Sequence, residues 1–134
     1  MERPSVAKLF LRLDLGGTAR LGPGKVRLLE LIEELGSISA AGRAMKMSYR
    51  RAWLLVDELN SYFSDAVVAT TLGGSGGGRA KVTPLGRSVI RAYRDIEQDA
   101  QKLLRKHAKA LTLSPPKPKR VRAKRRASVP LVGR

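Results

Sequence analysis

A mostly α-helical fold with small β elements is predicted by three observations on this 134-residue sequence. Apolar residues recur at helical spacing in several stretches. Short alternating runs flank a glycine pair and a glycine-rich loop. The core must be built from Leu, Val, Ile and Ala, because aromatics make up 4% of the residues against 43% apolar overall. This length suits one compact domain and a tail rather than two full domains. The expected division is a domain over residues 1–111 and a disordered basic tail over 112–134.

The elements follow in chain order. From Val6 to Leu15, Leu9, Leu11, Leu13 and Leu15 share one face, and Lys8, Phe10, Arg12 and Asp14 share the other. That alternation predicts a strand with one side buried. Gly16-Gly17 turns the chain, and Thr18 to Leu21 returns to complete an N-terminal β-hairpin. After Gly22-Pro23-Gly24, Val26, Leu28, Leu29, Ile32 and Leu35 form the apolar stripe of a helix capped by Gly36. A second helix is expected from the N-cap Ser39, with Ala40, Ala41 and Ala44 small enough for a close helix crossing. Lys46-Met47 forms the turn. Ser48 then caps a third helix, YRRAWLLVDELNSYF, with Ala52, Leu55, Val56, Leu59 and Phe63 inward and Trp53 expected against the first helix. Residues 67–72 and 80–82 read as paired strands around GGSGGGR, which holds five glycines. Thr83 caps a long last helix, Pro84 suits its first turn, and it is expected to reach Leu111. Along it Val89, Tyr93, Ile96, Ala100, Leu103 and His107 step by fours and threes, a heptad-like seam expected to mediate dimerisation.

Charge narrows the partners. The net charge is +16, an excess that repels itself unless a polyanion neutralises it, so nucleic acid leads and an anionic membrane surface follows. Residues 115–134 hold eight Lys or Arg and no acid, and the remainder keeps 19 basic against 11 acidic residues. The domain is therefore basic without its tail. Pro115, Pro116, Pro118 and Pro130 oppose helix or strand there. No apolar run reaches the roughly 18 residues of a membrane span, and Met1 to Pro4 is polar, so no membrane segment or secretion signal is expected. Cysteine is absent, which removes disulfides and thiolate metal sites. The one histidine, His107, sits among Arg105, Lys106 and Lys109 with no carboxylate to orient it as a base. The acids Glu30, Glu33 and Glu34, like Asp95, Glu97 and Asp99, read as helix-face pairing partners. No catalytic residue, metal or cofactor is expected. A cytoplasmic, nucleoid-associated protein is.

Two helices joined by a short turn, with a basic second helix and a hairpin after it, make a winged helix-turn-helix pattern. Arg50 and Arg51 open the reading helix, and an arginine fork matches guanine O6 and N7. Ser48 and Tyr49 can donate to phosphate from that helix start. Arg79 and Lys81 would supply charge from the wing, while Ser37 and Ser39 are helix punctuation first. A nucleotide-binding P-loop is a poor reading of the glycines, since Gly78 is followed by Arg79-Ala80 and a strand.

The same residues carry a family likeness. Gly36-Ser37 with Ala40-Ala41 and Met45 resembles the reading head of LysR-type regulators. Ser48-Tyr49-Arg50-x-Ala52-Trp53, Asp57-Glu58-x-Asn60 and Ala80-x-Val82-Thr83 after the glycines resemble the DNA-binding domain of ModE-type molybdate-responsive regulators. The likeness spans about residues 8 to 107. It implies transcriptional regulation through a homodimer on double-stranded DNA. ModE-type regulators also carry oxyanion-binding modules with a Ser-Ala-Arg-Asn-like motif. Nothing like that motif follows Leu111, so no small-molecule effector is expected. The alternative is a nucleoid-type architectural protein that coats DNA with little sequence preference. An RNA-binding module is disfavoured by the scarcity of aromatics for stacking.

Overall fold

A computed structural model describes residues 7–71, 79–111 and 114. The expected glycine loop and basic tail lie outside the described residues, apart from Arg79 and Ser114. The element order is β1 (Leu13–Gly16), β2 (Ala19–Leu21), α1 (Pro23–Leu35), α2 (Ile38–Ala44), α3 (Tyr49–Tyr62), β3 (Val68–Thr71), β4 (Arg79–Val82) and α4 (Pro84–His107). The fold is mostly helical with two small antiparallel hairpins, as expected. Its core gathers Leu21, Val26, Leu28, Leu29, Ile32, Ile38, Ala52, Val56, Leu59, Val67 and Tyr93, with no polar or charged residue besides the tyrosine hydroxyl fully buried among those described.

The first hairpin is shorter than the alternation predicts. Residues 7–12 carry no ladder, yet their burial still alternates, Leu9 and Leu11 half-buried and Lys8, Phe10 and Arg12 exposed. The returning strand ends at Leu21 because Pro23, which lacks an N–H, already begins α1. Leu13 pairs with Leu21 and Asp14 with Arg20, then a bulge follows and leaves Leu15 40% exposed rather than buried. Gly16 and Gly17 take positive φ of 104° and 53°, which the turn requires.

In α1 the inward residues are Val26, Leu28, Leu29, Leu31 and Ile32. Leu35, expected on the stripe, is 45% exposed. The chain reverses at Gly36, whose φ of 71° makes the left-handed cap, and Ile38 is buried just after it. The cap of α2 is Ser37, not Ser39. Ser37 holds an extended backbone, and its hydroxyl accepts from the Ala40 N–H at 3.0 Å, while Ser39 already lies inside the helix. Ser48 and Thr83 cap α3 and α4 as expected, accepting from the N–H of Arg51 and Gly86.

The last helix ends at His107, short of Leu111, and a 3-10 turn over Ala108–Ala110 follows. Its first half is bound tightly to the domain. At Gly86 a Cβ would collide with the Val67 carbonyl and the Val82 side chain, so only glycine allows this approach. Tyr93 is fully buried within the chain, and its hydroxyl donates to the Leu11 carbonyl at 2.8 Å. Burial raises its pKa above the ordinary tyrosine value. Arg94 grips Glu30 of α1 with two bonds of 2.9 Å and Glu97 with one of 2.7 Å. Those bonds lower the Glu30 pKa, against desolvation, and raise that of Arg94.

Two outcomes follow from these contacts. Because Glu30 has a depressed folded-state pKa, the pair stabilises fully above the ordinary glutamate range and less as pH falls through the lowered value. The stability gap between wild type and Glu30→Gln, followed by urea melts, should therefore be widest near neutral pH and close on acidification. Asn60 accepts from the Val67 and Val68 N–H groups at 2.8 and 3.0 Å and donates to the Val68 carbonyl at 3.1 Å. Asn60→Ala strands those backbone groups and should cost about 1–3 kcal/mol in the same melts; an unchanged midpoint would refute this role.

Candidate nucleic-acid interface

The position of the candidate reading helix is fixed by how closely α2 and α3 cross. A Cβ built on Gly42 would lie 2.8 Å from the Ala52 Cβ, so the tightest residue at the crossing is Gly42. Ala41 is buried there too, but Ala44, expected at the crossing, is exposed. The turn between the helices is drawn in by Gly42, whose carbonyl accepts from the N–H groups of Met45 and Met47 at 3.1 and 3.0 Å. Lys46 takes φ 60° to complete the reversal.

This geometry turns the start of α3 outward. Ser48, Tyr49, Arg50 and Arg51 are all exposed, while Ala52 and Val56 behind them are buried. Tyr49, 64% exposed, meets Trp53 edge-on with ring centroids 6.2 Å apart. Trp53 is half-buried against the core, and its indole Nε1 is buried without an acceptor. Arg43, at the end of α2, and Lys46 are exposed beside the same turn. Neither belongs to the sequence-derived set. The signal for both was present, since a cation in the last turn of α2 and another in a tight reversal must flank the start of α3.

The second hairpin lies against α1. Val68 pairs with Val82, Ala69 with Lys81, Thr70 with Ala80 and Thr71 with Arg79. Ala80 and Val82 point inward, which leaves Arg79 and Lys81 on the outer face. The Ala80 N–H donates to the Gly36 carbonyl at 3.0 Å and ties β4 to the corner between α1 and α2. An open cleft of about 500 Å³ lies alongside, lined by Arg79, Lys81, Arg87, Thr71 and Glu33.

Some of the described cations are paired with acids, and others, along α4 as well as at the turn, α3 and the wing strand, are not. Arg20, Lys25, Arg27, Arg87 and Arg94 each lie within 4 Å of an acid. Among the described residues no acid pairs with Arg43, Lys46, Arg50, Arg51, Arg79 or Lys81. Charge left free at the turn, the start of α3 and the outer wing strand suits a polyanion. The proposed seam residues are spread more unevenly. Val89 and Ala100 are half-buried, Ile96, Leu103 and His107 are exposed, and Tyr93 is committed to the core. No described helix is long and apolar enough to cross a membrane, and no group of three His, Asp or Glu among the described residues could hold a metal ion.

No family model matches the chain. It is 43% identical to the molybdenum-pterin-binding protein MopB of Rhodobacter capsulatus over 97 residues, 72% of this chain and 36% of that protein. Against the molybdenum transport protein ModE of Azotobacter vinelandii the identity is 34% over 99 residues, 74% and 36% of the two chains. Against the DNA-binding transcriptional dual regulator ModE of Escherichia coli (strain K12) it is 33% over 96 residues, 72% and 37%. The chain thus spans little more than a third of the length of these relatives. Over the stretch that aligns, it belongs to the family of ModE-type regulators.

Proposed function

We propose that this chain is the DNA-binding part of a ModE-type transcriptional regulator, acting in the cytoplasm as a homodimer on duplex DNA. The observation that carries the reading is the exposed start of α3, where Ser48, Tyr49, Arg50 and Arg51 stand outward and, among the described residues, no acid pairs with the arginines. A helix held by its buried face and free at a basic N-terminus fits the major groove. Arg50 and Arg51 read guanine edges. Ser48, Tyr49, Arg79 and Lys81 hold phosphates, joined by Arg43 and Lys46 at the turn. The relative from Escherichia coli is named a DNA-binding transcriptional dual regulator, which supports the same reading. Molybdenum is named in several relatives, and the proposal for this chain rests on DNA alone.

A protein that coats DNA without reading it is the rival, favoured by the net charge of +16. Salt separates the two, because pure phosphate binding weakens steeply for every duplex alike. Arg50→Ala combined with Arg51→Ala should erase sequence preference, at about 1–3 kcal/mol per lost base contact, and leave weak general binding. Helical content and melting should not change, since both side chains are exposed. The check is footprinting on selected genomic fragments, with circular dichroism alongside. A footprint that survives the double substitution would overturn the assignment of α3 as the reading helix.

A further inference from the structure

We propose that Leu54 reads a thymine methyl group in the major groove, beside the bases read by Arg50 and Arg51. The inference rests on the DNA reading proposed above and adds one base to it. α3 holds three leucines and a valine. Leu55 is half-buried, Val56 and Leu59 are buried, and Leu54 alone is exposed, at 50%. At 3.6 residues per turn, Ala52 and Val56, which seat the helix, each lie about 160° around the axis from Leu54. Leu54 is therefore on the side of α3 turned farthest from the core. Arg50 and Arg51 stand about 40° and 60° to either side of it, near one turn closer to the helix start. When the arginines reach base edges, the side chain between them faces the groove floor.

Leucine neither donates nor accepts a hydrogen bond, so it discriminates bases by apolar contact alone. The floor of the major groove offers one such partner, the thymine C5 methyl, among donors and acceptors that leucine cannot use. Along the axis Leu54 lies about 4.5–6 Å beyond the two arginines. At 3.4 Å per base step, the thymine falls about one or two base pairs from the bases they contact. Past Leu54 the outward face turns acidic, with Asp57 and Glu58 exposed about one turn on. Glu58 lies 3.6 Å from Lys25, and among the described residues no cation pairs with Asp57. Carboxylates there repel phosphates, so the close approach of α3 ends at Leu54. A protein partner would find no apolar patch, only one leucine ringed by two arginines and two carboxylates.

The test begins with duplexes selected by the full chain from a random pool, which define its preferred site. Each thymine of that site is then replaced in turn by deoxyuridine, which removes the methyl and no hydrogen-bonding group. At one thymine the replacement should weaken wild-type binding roughly fourfold, the worth of one buried methyl group. Leu54→Ala should bind the natural site less tightly by a similar factor, and the same deoxyuridine should then cost it nothing. Its circular dichroism should match the wild type, because the side chain it truncates is exposed. A deoxyuridine penalty of equal size in both proteins would assign the methyl to another residue and overturn the proposal. No penalty at any thymine would overturn it as well. Sequence preference that survives Arg50→Ala with Arg51→Ala would instead remove α3 as the reading helix. The absence of any preferred site would remove base reading itself, and either result takes this inference with it.

Discussion

The contact on which the candidate reading head depends is the near touch of Gly42 and Ala52. Two helices can cross this closely only where neither side chain extends past a methyl group, and here one has none. That approach lets the Gly42 carbonyl collect two turn amides, which shortens the connection and sets Ser48 where it can cap α3. With its buried face fixed by Ala52, Val56 and Leu59, α3 has no freedom to roll. Its arginines are exposed as a consequence of packing on the opposite side. The charge is presented by the core.

The second hairpin is fixed by polar clamps in addition to its buried Val68, Ala80 and Val82. Asn60 satisfies three backbone groups of Val67 and Val68 from the last turn of α3. Thr83 accepts from Gly86 and donates to the Ala66 carbonyl at 2.7 Å, joining the start of α4 to the approach of β3. Ala80 then binds the Gly36 carbonyl. The three clamps link α3, both strands, α1 and α4 through backbone atoms. The outward orientation of Arg79 and Lys81 follows from that frame together with strand alternation, whatever residues fill the loop between the strands.

Much of this was legible in the sequence because periodicity and capping are local. The stripe of α3, the caps Ser48, Thr83 and Gly36, and the turn at Lys46 all depend on neighbours within a few residues. The misses depend on distant ones. Ser37 and Ser39 are equally good caps by type, and only the backbone leaving Gly36 selects Ser37. Leu35 has the right spacing for the stripe, but the reversal after it leaves it outside and Ile38 buried. Tyr93 fits the heptad row of α4 by number, yet its place in the core is set by the Leu11 carbonyl, 82 residues away in sequence. Gly42 and Gly86 give no sign in the sequence, because a glycine inside a helix leaves no periodic signal. Their role is visible only in what a Cβ would strike.

The two halves of α4 stand in different surroundings. Up to Arg94 the helix is a component of the domain, held at Gly86, Tyr93 and Glu30. Beyond it Ile96 and Leu103 are exposed, and among the described residues no ion pair reaches Asp95, Asp99, Lys102 or Lys106.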